Sequence, residues 1–165
     1  MTQQDCRTLA AYNAWATNRI FEVLGTLSAE ETTRDMKASH RSIHGTLIHL
    51  VGAEKMWLSR MLGTPDRAMI KPEEFPTIAD LKAEWERTGF ATAKFVGTLS
   101  DKKLLETFTY PTSTGEQFTY RYGEALQHVV NHSTFHRGQV VALVRQMGHT
   151  PPDTGLTRFI RETKR

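Results

Sequence analysis

Residues 122–148, YGEALQHVVNHSTFHRGQVVALVRQMG, decide the fold. They read as one long helix from Tyr122 to Met147. Gly148 is its stop, because glycine takes the left-handed backbone that ends helices at no steric cost, and Pro151 and Pro152 follow. On this helix His128, His132 and His136 recur at every fourth position.

Working outward, three earlier stretches carry the same helical period. Leu9, Tyr12, Trp15, Ala16, Ile20, Val23, Leu24 and Leu27 recur at spacings of three and four, the pattern of an amphipathic helix, before Ser28 opens a break. A second pattern starts at Ser42, an N-cap residue type. It runs through Leu47, Leu50, Val51, Met56, Trp57, Leu58 and Met61 to a stop at Gly63. Residues 64–76 hold Pro65, Pro72 and Pro76 and read as loop. Thr77 and Asp80 then form a capping-box pair, in which a short hydroxyl and an acid three residues later satisfy free backbone N–H groups. Ile78, Leu81, Trp85, Ala91 (or Phe90), Phe95 and Leu99 supply the inner face of this third helix, with Gly89 and Gly97 as its weak points. Between the third and fourth helices, Phe108, Tyr110, Phe118 and Tyr120 alternate with Thr on either side of a Pro-Thr-Ser-Thr-Gly turn, predicting a small hairpin. The expected architecture is all-α: a four-helix bundle with short loops and a small β-hairpin between helices three and four, one domain over residues 1–165.

Composition fits this reading. The chain has 165 residues, 39% hydrophobic and 24% charged, which suits one ordinary soluble domain and excludes collagen-like or low-complexity classes. The net charge of +3 comes from the last eight residues, where Arg158, Arg161, Lys164 and Arg165 face only Glu162. A pI near 9.1 would suggest nucleic acid as a partner, but an excess confined to a tail is not a basic face, so no nucleic-acid partner is expected. The single cysteine, Cys6, cannot close an intramolecular disulfide and has no activating neighbour. The N-terminus lacks the basic and apolar regions of a signal peptide, and no run is long enough to span a membrane. A cytoplasmic protein without a membrane partner is expected.

The chemistry lies in the histidines. A helix turns about 100° per residue, so His132 and His136 project about 40° apart and about 6 Å along the axis, within reach of one metal ion. His128 pairs with His132 in the same way, but His128 and His136 lie about 12 Å apart along the helix and cannot share an ion. A third ligand must come from another helix. His49, flanked by Leu47, Leu50 and Val51 midway along the second helix, is the candidate; His44 lies about 140° round the same helix and does not share its face. Three imidazoles leave positions for water or substrate, the open arrangement of a catalytic site. The metal-protease signature His-Glu-x-x-His is absent, so no general base is built into the motif and the catalytic residues remain unassigned.

A His-x3-His pair alone is a weak signal. His128 reads as a neighbour of the ligands, and Arg137 and Gln139 either orient ligands and substrate or sit on the surface. Trp15, Trp57 and Trp85 read as core, and Glu54, off the His49 face, as an exposed salt-bridge partner.

The string His128-Val-Val-Asn-His-Ser-Thr-Phe-His-Arg-Gly-Gln139 resembles the fourth-helix signature of the DinB/YfiT-like superfamily. Leu47-Ile-His-Leu-Val-Gly-Ala-Glu-Lys-Met-Trp-Leu58 is similar to its second-helix histidine motif, and Tyr12-Asn-x-Trp15-x-x-x-Arg19 to its opening segment. The resemblance covers nearly the whole chain. It implies a four-helix bundle, commonly a homodimer, holding a divalent metal (Zn, Ni or Fe) through three histidines that correspond to His49, His132 and His136. Family members often carry an Asp where this chain has Gly155 before Leu156. The activity implied is metal-dependent activation of a thiol or water for attack on a small electrophile, thiol S-transfer first among the versions, with a low-molecular-weight thiol as co-substrate. A hydrolase and a non-catalytic metal-binding or stress-response protein are the alternatives.

Overall fold

The computed structural model describes residues 1–65, 69–112 and 114–163. Its elements in chain order are α1 (Gln3–Leu24), α2 (Ala29–Thr33), α3 (Ile43–Met61), a 3-10 turn at Pro72–Glu74, α4 (Ile78–Thr98), α5 (Asp101–Leu105), the strands β1 (Thr107–Pro111) and β2 (Gln117–Arg121), α6 (Tyr122–Gln146) and α7 (Leu156–Thr163). The expected caps close the helices. Ser42 Oγ accepts from the Gly45 N–H at 3.0 Å at the start of α3, and Thr77 and Asp80 exchange backbone and side-chain bonds at the start of α4. Gly63 and Gly148 stop α3 and α6 at φ of 76° and 85°, in the left-handed region that suits glycine.

The architecture is a four-helix bundle in which α1 and α3 each pack against both α4 and α6. Since α1 and α3 sit across the diagonal, the connection between them is not the short loop expected. It crosses one end of the bundle and contains α2, which Ser28 caps and does not merely interrupt. Glycines 89 and 97 leave α4 unbroken.

The interior is layered. One apolar layer joins Ile20, Phe21 and Leu24 of α1 to Leu47 and Val51 of α3, Leu81 and Trp85 of α4 and Val140, Leu143 and Val144 of α6. A second joins Cys6, Trp57, Met61, Val96, Leu126 and Val129, and the hairpin rings Phe108 and Tyr110 close it. Between the layers lies a polar belt to which every long helix contributes: Asn13 and Thr17, Glu54, Thr88 and Thr92, and Arg137, all buried. This corrects two expectations and removes the surface alternative for Arg137. The inner face of α4 runs through Thr88 and Thr92, and Phe90 and Ala91 point outward, Phe90 being 76% exposed. Glu54 is not an exposed salt-bridge partner: at 4% exposure its carboxylate accepts from Asn13 Nδ2 at 2.8 Å and Thr92 Oγ1 at 3.3 Å. Arg137 is not a surface residue, since its guanidinium donates to Asn13 Oδ1, to Thr17 Oγ1 at 3.1 Å and to Thr134 Oγ1 at 2.8 Å.

The hairpin has the expected alternation, with Phe108 opposite Tyr120 and Tyr110 opposite Phe118. Trp57 of α3 packs edge-on to Tyr110 and Tyr120, and the Arg60 guanidinium lies 4.1 Å over the Tyr110 ring. The basic C-terminal segment is no free tail as far as Thr163. It forms α7, whose Phe159 packs between Tyr12 and Trp15, while Arg158 pairs with Asp153 and Glu162. Lys164 and Arg165 lie outside the described residues. Gly155 heads this helix, its carbonyl accepting from the N–H groups of Arg158 and Phe159.

Candidate metal centre

The site is assembled from one turn of α6, the middle of α3 and the loop before α3. Spacing by one helical turn sets His132 and His136 side by side, their ring centroids 4.3 Å apart and their planes tilted by 57°. Because α3 and α6 pack side by side, His49 meets both: its Nε2 lies 3.0 Å from His132 Nε2, and its ring centroid 4.6 Å from that of His136. The three histidines selected by spacing and by resemblance are therefore neighbours in space.

A fourth imidazole, His40, joins them. It lies two residues ahead of the Ser42 cap, stacks on His49 at 4.1 Å with the rings 16° from parallel, and stands 5.3 Å from His136. Ligand atoms of His40, His49 and His136 all lie within 4.8 Å of one another, close enough for these three to hold a metal ion; this group contains two of the three expected ligands, with His40 in the place of His132. Sequence reasoning passed over His40 because it belongs to no helix and no helical spacing reaches it. The one local signal is Gly45, where any side chain would overlap the His40 carbonyl oxygen.

His128 is exposed and sits outside the cluster, its ring 5.8 Å from His132 and 4.9 Å from Trp57. His44 turns away and pairs through Nε2 with the Phe75 carbonyl at 2.8 Å. Gln139 reaches the site: its Oε1 lies 2.8 Å from His136 Nδ1. An amide oxygen only accepts, so Nδ1 carries the hydrogen and Nε2 keeps a free lone pair, the arrangement of an oriented metal ligand. Arg137, next in sequence to His136, points into the polar belt and touches none of these rings in its hydrogen bonds.

Electrostatics prepare the same atoms. Burial, with His40 and His136 nearby, lowers the pKa of His49 to about 4; burial and its neighbours His136 and His49 lower that of His132 likewise to about 4. Burial also lowers His136, against the opposing bond from Gln139. These three imidazoles are thus neutral at neutral pH, the form that ligates. An all-imidazole donor set suits zinc, nickel, iron or copper and is a poor match for hard cations such as calcium and magnesium.

The fold and the site together define a helical-bundle protein with a cluster of histidines able to hold a metal ion. The chain belongs to the DinB family, whose model matches residues 1–165. It is 29% identical over 166 residues to Protein DinB of Bacillus subtilis (strain 168), covering 95% of each chain. It is 24% identical over 140 residues to the uncharacterized protein YizA of the same organism, covering 85% of this chain and 86% of that one. Among solved structures, a DinB-like protein from Bacillus cereus ATCC 10987 superposes with a TM-score of 0.67 at 20% identity, over 87% of this chain and 91% of that chain, a likeness of fold. No helix among the described residues is long and apolar enough to cross a membrane.

Proposed function

We propose that this protein is a metal-dependent enzyme in which His49, His132 and His136 hold a divalent ion and a thiol or water is activated for attack on a small electrophile, with thiol S-transfer as the leading version. The observation that carries the reading is the convergence of three neutral imidazoles from two helices, one of them oriented by Gln139. When bound, the ion would supply Lewis acidity, lowering the pKa of a thiol or water so that the nucleophile forms at neutral pH. The chain's own residues do the positioning. The α6 backbone fixes the His132 to His136 spacing, packing of α3 on α6 brings His49 to both, and Gln139 holds the His136 ring by its Nδ1 hydrogen. His128, exposed one helical turn before His132, would flank a small substrate. The homodimeric state belongs to this same reading.

The test compares metal per chain in alanine variants of His49, His128, His132 and His136 dialysed side by side, together with thiol consumption in the presence of an electrophile. Loss of metal is expected for His49→Ala, His132→Ala and His136→Ala, and retention for His128→Ala. Gln139→Ala should weaken affinity by about 10- to 100-fold, the usual cost of losing a partner that orients a metal ligand. Full retention in His49→Ala would remove α3 from the site. Metal binding without thiol consumption above the metal-free control would sink thiol transfer and leave the water-activating and non-catalytic readings.

A further inference from the structure

We propose that His40 is a fourth imidazole of this centre and an exchangeable one, occupying the position that the substrate nucleophile takes and leaving when it arrives. The proposal rests on the reading that His49, His132 and His136 hold the ion. Its evidence is the different way the fourth ring is held. His49, His132 and His136 stand on long helices packed in the bundle, which fix their backbone positions. His40 stands on a loop, yet its ring stacks on His49 at 4.1 Å, and its ligand atom lies within 4.8 Å of those of His49 and His136.

That loop is held close by a few local contacts. The Met36 N–H donates to the Arg41 carbonyl at 2.7 Å and the Arg41 N–H to the Ala38 carbonyl at 2.8 Å. Asp35 Oδ2 pairs with the Arg41 guanidinium at 2.9 Å. Lys37 and Arg41, on either side of His40, have φ of 55° and 66°, a left-handed backbone that a non-glycine residue adopts at a cost. Glycine at position 45 lets the His40 carbonyl lie against the first turn of α3. A ring delivered by a short loop with two costly residues is the member of the set that can withdraw while the bundle stays intact. With His40 in place a further imidazole reaches the position between His49 and His136, and with His40 withdrawn that position would be open to an incoming thiolate.

Cobalt(II) is the probe, because its visible absorption reports the number and type of its ligands, and azide serves as a small anion competing for the open position. The full-length protein and His40→Ala are each loaded with one equivalent of cobalt(II), and metal per chain, visible spectrum and azide affinity are measured. Both are expected to hold cobalt, with different spectra. If His40 fills the position in nine-tenths of molecules, its removal should tighten azide binding about 10-fold. Added imidazole should return the variant's spectrum toward that of the parent. Gly45→Ala, which keeps every histidine but forces the His40 carbonyl away, should shift the spectrum in the same direction. Equal loading with identical spectra and azide affinities would overturn the role of His40 alone. Loss of cobalt in His40→Ala only would make His40 an obligatory ligand and overturn its exchange. Absence of cobalt from both proteins would overturn the three-histidine reading and this proposal with it.

Discussion

Glu54 and Arg137 are buried ionisable groups that do not meet directly in a salt bridge; Asn13 stands between them, donating from its amide nitrogen to one and accepting at its oxygen from the other. Burial pushes the Glu54 carboxyl up to about 7, with the bonds from Asn13 and Thr92 and the charge of Arg137 opposing the rise. Burial lowers Arg137 from the ordinary arginine value. Removing one member of such a set strands the others, so Arg137→Met should destabilise the protein by about 3 kcal/mol, because Asn13 and Thr17 lose their donor and Glu54 its counter-charge. Glu54→Gln keeps the shape and one acceptor oxygen for Asn13, and its amide N–H can donate to Thr92 Oγ1, so it should cost less than Arg137→Met, about 1 kcal/mol at neutral pH. Urea unfolding of the two variants checks the pair, and a cost for Arg137→Met as small as that for Glu54→Gln would deny the belt its structural role. At this scale the sequence disclosed the residues whose role depends on their own helix. His132 and His136 announce themselves by spacing, and His49 by its apolar flanks. Glu54, Arg137 and His40 do not, because their surroundings come from other elements or from a loop with no period.

At the scale of elements, local chemistry was readable and remote docking was not. Ser42, Gly63, the Thr77 and Asp80 pair and Gly148 mark helix ends through atoms a few residues apart, and the helices begin and stop there. The apolar period does not trace the inner face of α4, because its central positions are Thr88 and Thr92, polar residues facing a polar belt where the helix remains buried. α7 escaped notice since it depends on α1. Tyr12 Oη donates to the Thr154 carbonyl at 3.0 Å, Arg19 Nε to the Asp153 carbonyl at 3.1 Å, and Tyr12 and Trp15 receive Phe159. The opening segment that resembles the family thus serves as the clasp for the end of the chain. Phe159→Ala should cost about 3 kcal/mol, the low end for truncating a buried Phe, and should release α7 first. Hydrogen exchange localises the effect: protection is expected to fall in residues 156–163 and persist in α3 and α6.

For the molecule as a whole, the buried titratable groups oppose one another in pH. His49 and His132, with folded pKa values of about 4 against an ordinary 6.5, bind fewer protons folded than unfolded between those values, so their contribution falls as pH drops from 6.5 towards 4. Glu54, raised from 4.5 to about 7, binds more protons folded across that interval, and its contribution grows as pH drops from 7 towards 4.5. Two histidines outweigh one carboxyl, and His136 is lowered as well. The metal-free protein should therefore lose stability on acidification below pH 6.5, and Glu54→Gln, which removes the opposing group, should steepen that loss. Urea midpoints for both proteins between pH 4.5 and 7.5 test the sign; a midpoint that rises on acidification would refute it. The belt that holds Glu54 has another effect, on which changes of length the chain can absorb. One added residue ahead of Asn13, Glu54, Thr92 or Arg137 within its helix rotates everything after it by about 100°, carrying the belt group out of the interior and a neighbour into its place. An apolar interior tolerates such slippage where a fresh hydrophobe arrives, but a set of matched donors and acceptors does not. Each helix therefore has a reading frame relative to the other three, and insertions or deletions can be accepted only in the segments between them.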